Sequence, residues 1–144
     1  MYLLYNFAPD MAKNSKDKYR LENEAFLEDL AEEEGVKSLP EGILYEVLAA
    51  GEGKQAQPTS VVSVYYKGTL ISGKVFNDNT SQGYPDAFRL KDLIVGWQIA
   101  IAQMKEGDKW RIYIPSEAGY GKRGTHGIPG FSTLIFEIEL VKVT

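Results

Sequence analysis

Apolar and polar residues alternate along four segments of this chain, and a period of two is typical of half-buried β-strands. The segments cover residues 43–48, 62–67, 110–114 and 134–140. In the second segment, for example, Val62 and Val64 share one face and Ser63 and Lys67 share the other. The pattern predicts antiparallel strands that turn an apolar face to a core and a polar face to water.

A helical period runs through a segment nearer the start of the chain. It predicts a helix from about residue 15 to residue 34, with Ser15 as its N-cap and Gly35 as its stop signal. Tyr19, Phe26 and Leu30 form an apolar stripe on this helix, and acidic residues cover much of the remaining surface. We expect the stripe to pack on its own domain or on a second copy, or to act as a client-binding or dimerising arm.

A second, shorter helix is indicated by Trp97, Ile101 and Met104, which follow a helical spacing and precede a stop at Gly107. One short apolar helix among several amphipathic strands predicts an α+β fold, in which a curved antiparallel sheet wraps around that helix. The turn-rich residues 35–42 separate an N-terminal extension, residues 1–39, from a main domain, residues 40–144.

Composition narrows the function classes. The 144 residues suffice for one compact domain with an appendage. Apolar residues make up 44% of the chain and charged residues 25%, which is ordinary for a globular protein. A net charge of −4 without a long basic run argues against nucleic-acid binding. The absence of cysteine excludes disulfides and thiolate metal sites.

Residues 1–9 are apolar, but they are too few to span a membrane and they lack the basic start of a signal peptide. We expect them to pack on their own domain or on a neighbouring molecule. The expected location is cytoplasmic, and the periplasm or cell envelope, reached after removal of a leader, is the alternative.

Aromatic and aliphatic residues recur in five motifs of the second half of the chain. The motifs are Val64-Tyr65-Tyr66-Lys67-Gly68, Gly73-Lys74-Val75-Phe76, Val95-Gly96-Trp97, Ala118-Gly119-Tyr120-Gly121, and Ile128-Pro129 followed by Thr133-Leu134-Ile135-Phe136-Glu137. No obvious nucleophile, metal cluster or phosphate loop accompanies them in the sequence. Rotation about a prolyl peptide bond suits such a set of residues, because that reaction needs no proton transfer.

In their order and spacing these motifs resemble the FKBP-type peptidyl-prolyl cis–trans isomerases, over about residues 40–143. The resemblance implies a bacterial type with a helical N-terminal extension, which accelerates Xaa-Pro rotation without a cofactor, a metal, or covalent or acid–base chemistry. The implied partners are proline-containing peptides and unfolded or folding client proteins. Macrolide inhibitors, and a homodimer formed through the extension, are further expectations.

The resemblance also assigns roles to individual residues. Trp97 would form the floor beneath the proline ring, Tyr66, Phe76 and Phe136 the aromatic walls, Leu93 and Ile94 a segment that meets the peptide, Tyr120 a donor to a ligand carbonyl, and Ile128 an aliphatic contact on a flap. Each aromatic residue alone is more often a core residue. Their joint appearance in the family's order is what favours a site.

This sequence departs from the family's usual pattern in three places. Asn77 stands where the family usually has aspartate, so either Asp78 substitutes for it or activity is reduced. Asp86 and Ala87 replace a second aromatic of the cleft wall, which would make the wall more open and more acidic, and Phe88 is expected to face the core. The flap, residues 122–131, has fewer prolines than usual, which bears on substrate preference and macrolide binding.

Other patterns support different chemistry less well. Residues 119–124 spell a dinucleotide fingerprint, but no clear parallel strand precedes them and no helical pattern follows. His126 lacks a partner nucleophile, and Glu137 and Glu139 are expected on the wet face of one strand. The main alternative is a binding module, an FKBP-like peptide or client binder with weak catalysis, which Asn77 and the altered wall suggest.

Overall fold

The computed structural model describes residues 14–144, and the apolar segment of residues 1–9 lies outside them. The described chain contains two α-helices, α1 (Ser15–Ala31) and α2 (Val95–Ile101). Its seven strands are β1 (Lys37–Ser38), β2 (Leu44–Ala49), β3 (Val61–Thr69), β4 (Val75–Asp78), β5 (Asp86–Arg89), β6 (Lys109–Ile114) and β7 (Leu134–Val143). No helix among these residues combines the length and the apolar character that a bilayer span requires.

The strands form one antiparallel sheet in the order β1-β2-β6-β7-β3-β4, with β5 also paired to β3. One edge of β3 pairs with β7, and its other edge is shared by β5 at residues 61–64 and β4 at residues 67–69. The predicted α+β fold, a curved antiparallel sheet around one short helix, is confirmed. The alternating pattern did not reveal β1, β4 and β5, because two to four residues are too few to show a period.

The main core lies between the inner face of the sheet and α2. It contains the residues that the alternation assigned to that face, including Val62, Val64, Ile112 and Ile138, together with Trp97, Ala100 and Ile101 of the helix. Gly96 lets α2 approach β6 closely, since a Cβ at this position would lie 2.5 Å from Cγ2 of Ile114. The first residues of α2 are therefore held firmly against the sheet.

A residue from another part of the chain pairs with carbonyl groups just beyond the end of α2. The helix ends at Ile101, six residues before the predicted stop at Gly107, although Met104 is buried as its spacing suggested. The backbone tightens there, with Met104 N–H donating to Ile101 O at 2.9 Å. Gln55 Nε2 then donates to the carbonyl oxygens of Ala102 and Met104 at 2.9 and 3.0 Å.

Both ends of α1 differ slightly from the sequence expectation. Asn14, rather than Ser15, is the N-cap, because its side chain accepts the Asp17 N–H at 2.9 Å. The helix ends at Ala31 rather than near residue 34. Just after Ala31, the Glu32 N–H donates to carbonyl oxygens of the preceding turn. The predicted domain division between residues 39 and 40 stays a prediction.

The apolar stripe of α1 packs on the outer face of the sheet. Leu30 forms a second apolar cluster with Leu44 and Tyr113, and the ring centroid of Phe26 lies 6.2 Å from that of Tyr113. Tyr113 is only 5% exposed, so the expectation of a solvated outer face is wrong at this end of the sheet. A helix distant in sequence supplies the cover, and the alternation of β6 could not reveal it.

Candidate functional site

A cavity of about 320 Å³ opens beside the first turn of α2. Twelve described residues line it: Tyr66, Phe76, Asn77, Phe88, Leu93, Ile94, Trp97, Tyr120, Thr125, His126, Ile128 and Phe136. All nine residues that the sequence singled out are among them. The sheet, α2 and the flap thus bring side chains from distant motifs to one place, while their roles in binding stay a prediction.

A cluster of perpendicular aromatic rings forms the base of the cavity. Trp97, only 5% exposed, has the ring centroids of Tyr66 and Phe136 at 5.0 and 5.2 Å, with interplanar angles of 85° and 87°. Phe76 meets Phe136 edge-to-face at 5.5 Å, and Phe88 lies 6.0 Å from Trp97. Edge-to-face pairs are a favoured arrangement of aromatic rings, so the base is built mainly of apolar ring surface, and its buried Trp97 Nε1–H has no hydrogen-bond partner among the described residues.

The backbone of β3 makes room for two of these rings. Gly68 is paired with Asn77 on β4 and with Phe136 on β7. A Cβ at Gly68 would lie 2.6 Å from Cζ of Phe76 and 2.8 Å from Cε1 of Phe136. The missing side chain therefore sets the position of the aromatic walls, a reason for glycine here that the sequence pattern alone does not supply.

Asn77 and Tyr66 form the polar part of the wall. Nδ2 of Asn77 donates to the Tyr66 hydroxyl oxygen at 3.0 Å. Burial raises the pKa of Tyr66 above its ordinary value of 10.0, and the hydrogen bond from Asn77 acts in the opposite direction. Because the Tyr66 oxygen accepts from Asn77, its own O–H can donate to an acceptor in the cavity.

Asp78 does not take the place of the usual aspartate. Its Oδ1 accepts the backbone N–H of Thr80 at 2.9 Å and the Thr80 hydroxyl at 2.6 Å. These two hydrogen bonds lower the pKa of the exposed Asp78 carboxyl. The carboxylate thus stabilises its own turn, and Asn77 is the residue that lines the cavity.

Asn79, which the sequence reasoning missed, holds Tyr66 in place. Its Oδ1 accepts the Tyr66 N–H at 2.7 Å, and its Nδ2 donates to Val64 O at 3.1 Å and to Asp86 Oδ2 at 2.9 Å. Asn79 is 5% exposed and fills the gap between β4 and β5 along the edge of β3. No local pattern marks this role, because its partners come from a neighbouring strand.

The altered wall is neither acidic nor without an aromatic residue. Asp86 and Ala87 do not line the cavity, so the expectation of a more acidic wall is wrong. Phe88, which was expected to face the core, packs on the core and also lines the cavity.

The flap closes one side of the cavity. Thr125 and Ile128 exchange two backbone hydrogen bonds of 3.0 and 2.9 Å, which form a tight turn around the exposed His126. Ile128 is 5% exposed, whereas Tyr120, just before the flap, is 40% exposed at the rim. Residues 119–124 follow a short 3₁₀ helix and lead into this flap. A dinucleotide fingerprint instead follows a parallel strand and opens a helix.

The lining favours binding over acid–base chemistry, since its one imidazole, His126, is exposed on the flap. None of the twelve described lining residues is an aspartate, glutamate, lysine or arginine. Glu137 lies outside the cavity, where its carboxylate meets the Arg111 guanidinium at 2.6 Å. Across residues 14–144 there is no group of three or more side chains arranged to hold a metal ion. The geometry suits an apolar ring that packs on Trp97 and is oriented by hydroxyl and amide groups.

Two family models match the chain. One, described as FKBP-type peptidyl-prolyl cis-trans isomerase, covers residues 52–141. The other, described as the domain amino-terminal to FKBP-type peptidyl-prolyl isomerase, covers residues 4–47. The cavity-lining residues all fall within the first match.

Similar curated proteins include FkpA, an FKBP-type peptidyl-prolyl cis-trans isomerase of Escherichia coli K12, which is 41% identical over 136 residues. The match covers 92% of this chain and 50% of FkpA. The peptidyl-prolyl cis-trans isomerase Mip of Coxiella burnetii is 42% identical over 120 residues, covering 83% of this chain and 52% of Mip. The chain thus spans about half the length of these relatives.

Solved structures agree with the fold. The crystal structure of FkpA from Escherichia coli superposes with a TM-score of 0.83 at 37% identity, covering 99% of this chain and 63% of that one. A peptidyl-prolyl cis-trans isomerase from Pseudomonas syringae pv. tomato superposes with a TM-score of 0.84 at 36% identity. That match covers 92% of this chain and 98% of the other, so a structure of comparable length shares the fold.

Proposed function

The chain belongs to the FKBP-type peptidyl-prolyl cis–trans isomerases, and we therefore propose that it accelerates rotation about Xaa-Pro bonds in peptides and folding proteins. The observation that carries the proposal is the base of perpendicular rings around Trp97, in a cavity lined by no aspartate, glutamate, lysine or arginine. At about 320 Å³ the cavity lies at the small end of the roughly 300–1,000 Å³ typical of ligand pockets.

The reaction needs an environment that favours a twisted amide. Rotation about a peptide bond has a barrier of about 18–20 kcal/mol, because amide resonance is lost in the twisted state. Resonance places negative charge on oxygen and positive charge on nitrogen, and water stabilises that planar form. A cavity that excludes water and packs the proline ring on Trp97 stabilises the planar form less, which lowers the barrier. Every 1.4 kcal/mol or so removed from the barrier raises the rate about tenfold.

We assign the site to the nine residues named from the sequence. Trp97 forms the floor and Tyr66, Phe76 and Phe136 the walls, while Leu93, Ile94 and Ile128 contact the peptide beside the proline. The hydroxyl of Tyr120 is the donor that orients a flanking carbonyl group, and Asn77 orients the ring of Tyr66 through its 3.0 Å hydrogen bond. This support comes from their common position in the cavity.

The test is cis–trans exchange of proline-containing tetrapeptides, measured by NMR with and without the purified protein. We expect exchange well above the slow uncatalysed rate, and a series of residues before proline would give the substrate preference. Peptide line broadening without faster exchange would instead identify a binding module, the alternative that Asn77 suggests.

Several expectations about partners accompany the proposal. Unfolded client proteins, and hence a chaperone role, are expected because folding chains expose Xaa-Pro bonds. Macrolide binding to the same cavity, tested by competition with a proline peptide, and a homodimer through the N-terminal extension stay predictions. So does the cytoplasmic location, with the periplasm or cell envelope as the alternative, which fractionation of cells that produce the protein would settle.

A further inference from the structure

We propose that α1 positions the flap over the cavity, with Tyr19 and Asn23 as positioning residues for the isomerisation reaction. The proposal rests on the proposed function, because the flap belongs to the same cavity. Neither Tyr19 nor Asn23 lines that cavity. Both contact the segment that joins the flap to β7, more than one hundred residues further along the chain.

The first contact is a chain of two hydrogen bonds that ends beside Ile128. The Tyr19 hydroxyl lies 2.7 Å from Oγ of Ser132, and Oγ of Ser132 donates to Pro129 O at 2.6 Å. A serine hydroxyl has one proton, so the proton of the first bond comes from Tyr19. Tyr19 is therefore linked through Ser132 to the residue that follows Ile128 in the flap.

The second contact is a buried amide clamp. Oδ1 of Asn23 accepts the Thr133 N–H at 2.8 Å, and its Nδ2 donates to Tyr19 O at 2.8 Å. Asn23 and Thr133 are 2% and 1% exposed. Asparagine is a poor helix former, and a buried amide is costly unless it is paired. The clamp accounts for an asparagine at this buried helical position, because it pairs both ends of the amide.

The third contact surrounds Phe131, the last residue of the flap. Phe131 has a φ of +68°, in the left-handed region that residues other than glycine rarely adopt. Nζ of Lys16 and Cζ of Arg20, both on α1, lie 5.5 and 5.8 Å from its ring centroid. The Phe131 N–H donates to Gly121 O at 2.9 Å, which closes the neck of the flap.

Through these contacts, α1 restrains the position of the flap. Strained backbone persists only where its surroundings hold it, and here α1 supplies part of those surroundings. If the helix contacts are lost, Ile128 is held less firmly over the proline ring. Peptide affinity then falls, while the ring cluster that lowers the rotational barrier stays in place. The expected signature is a raised KM with a smaller change in kcat.

The test compares variants that remove one contact at a time. Tyr19→Phe deletes the hydroxyl that reaches Ser132, and Ser132→Ala deletes both bonds of the chain. Since one net hydrogen bond that holds the flap is lost, we expect KM for a proline tetrapeptide to rise about three- to tenfold. Amide hydrogen exchange at Thr125 and Ile128 should quicken in both variants. Ser132→Thr keeps the hydroxyl, so its KM and its flap exchange should stay near the wild-type values.

Phe26→Ala is the matched control. Phe26 lies on the same helix but packs on Tyr113 instead of the flap. The Phe26→Ala substitution should lower the free energy of unfolding and leave KM and flap exchange near their wild-type values. Unchanged KM and flap exchange in Tyr19→Phe and Ser132→Ala, or equal changes in Phe26→Ala, would overturn the proposal. Hydrogen exchange needs no turnover, so it decides the role of the helix even if the wild-type protein proves inactive as an isomerase.

Discussion

At the level of single residues, Trp97 belongs both to the hydrophobic core and to the base of the cavity. Sequence reasoning can name such a residue without separating the two roles, because both require an apolar ring at the start of the same helix. Only substitution experiments can divide its contribution to folding from its contribution to binding.

Replacement of Trp97 by alanine should therefore have two effects. We expect a loss of about 3–5 kcal/mol in the free energy of unfolding, as for other large aromatic side chains in cores, together with loss of peptide binding. Urea denaturation and a peptide titration measure the two. The control is Trp110→Ala, since Trp110 is also buried but stacks on Tyr45 away from the cavity. Wild-type affinity in folded Trp97→Ala would contradict the assignment.

Asn77→Asp should change the hydrogen bond to Tyr66. A carboxylate can only accept, so the Tyr66 hydroxyl becomes the donor and the added negative charge raises its pKa further. We expect higher turnover, because a charged acceptor holds the hydroxyl more firmly. NMR titration of the Tyr66 ring and the exchange assay give the two readouts, with Asp78→Asn as the control outside the cavity. Unaltered turnover would show that Asn77 does not limit catalysis.

Tyr120→Phe removes one hydroxyl at the cavity rim. Because Tyr120 is 40% exposed, the free energy of unfolding should change by less than about 0.5 kcal/mol. If the hydroxyl orients a peptide carbonyl, kcat/KM should fall about three- to tenfold. Tyr84→Phe, on a 62% exposed residue outside the cavity, is the control. Unchanged kinetics would leave Tyr120 with a structural role only.

At the scale of elements, the register of three strands builds the aromatic walls. β4 and β7 pair with β3 on opposite edges at Gly68, and the rings of Phe76 and Phe136 approach each other above it. The sequence shows a glycine beside aromatic motifs. It does not show that the rings meet over that glycine, because register is a property of paired strands.

Gly68→Ala should consequently disturb the cavity through the strand. The new methyl group would overlap both rings, so they must shift. We expect peptide affinity to fall at least tenfold, with altered NMR chemical shifts for both phenylalanine rings. Ser63→Ala changes the same strand on the opposite face and should leave binding intact. Preserved affinity in a folded Gly68→Ala protein would sink this account of the walls.

The short elements mark where local patterns stop being informative. The two longest strands, β3 and β7, follow the alternation over most of their length, whereas burial in the six-residue strands β2 and β6 does not alternate throughout. The position of α2 could be predicted, but the pairing of Gln55 with carbonyl groups just beyond its end could not, and β4 and β5 are defined by pairing with β3. These features depend on partners that periodicity does not name.

At the scale of the whole molecule, α1 covers part of the outer face of the sheet. Tyr113 lies beneath it and donates to Glu46 Oε2 at 2.6 Å. Burial, followed by the hydrogen bond to Glu46, raises the pKa of Tyr113 from 10.0 to about 12. Because the docked helix buries Tyr113, the free energy of unfolding depends on pH in the alkaline range.

The sign of that dependence follows from proton uptake. Below pH 10 the Tyr113 hydroxyl is protonated in both states, and its contribution to stability is fully present. Between pH 10 and about 12 the unfolded state loses this proton first, so the free energy of unfolding falls as pH rises. The total loss from this group is on the order of 2–3 kcal/mol.

Tyr113→Phe isolates this effect. Urea unfolding of both proteins should be measured from pH 8 to roughly pH 11.5. At the lower pH the wild type should be more stable than the variant, and this difference in the free energy of unfolding should narrow as pH rises. Tyr84→Phe, which alters an exposed tyrosine, should show no such narrowing. A gap that stays constant across the range would contradict the link between Tyr113 and alkaline stability.

The sequence by itself determined the inner faces of the long strands, the apolar helix beneath them and nine of the twelve described residues that line the cavity. These depend on local periodicity and on the order of motifs, both of which are written along the chain. The tertiary structure alone decided the cover over Tyr113, the bridge made by Asn79 and the bond from Tyr19 to Ser132, whose partners are 113 positions apart. Such contacts satisfy buried polar and apolar groups through space, so their partners become visible only once the chain has folded.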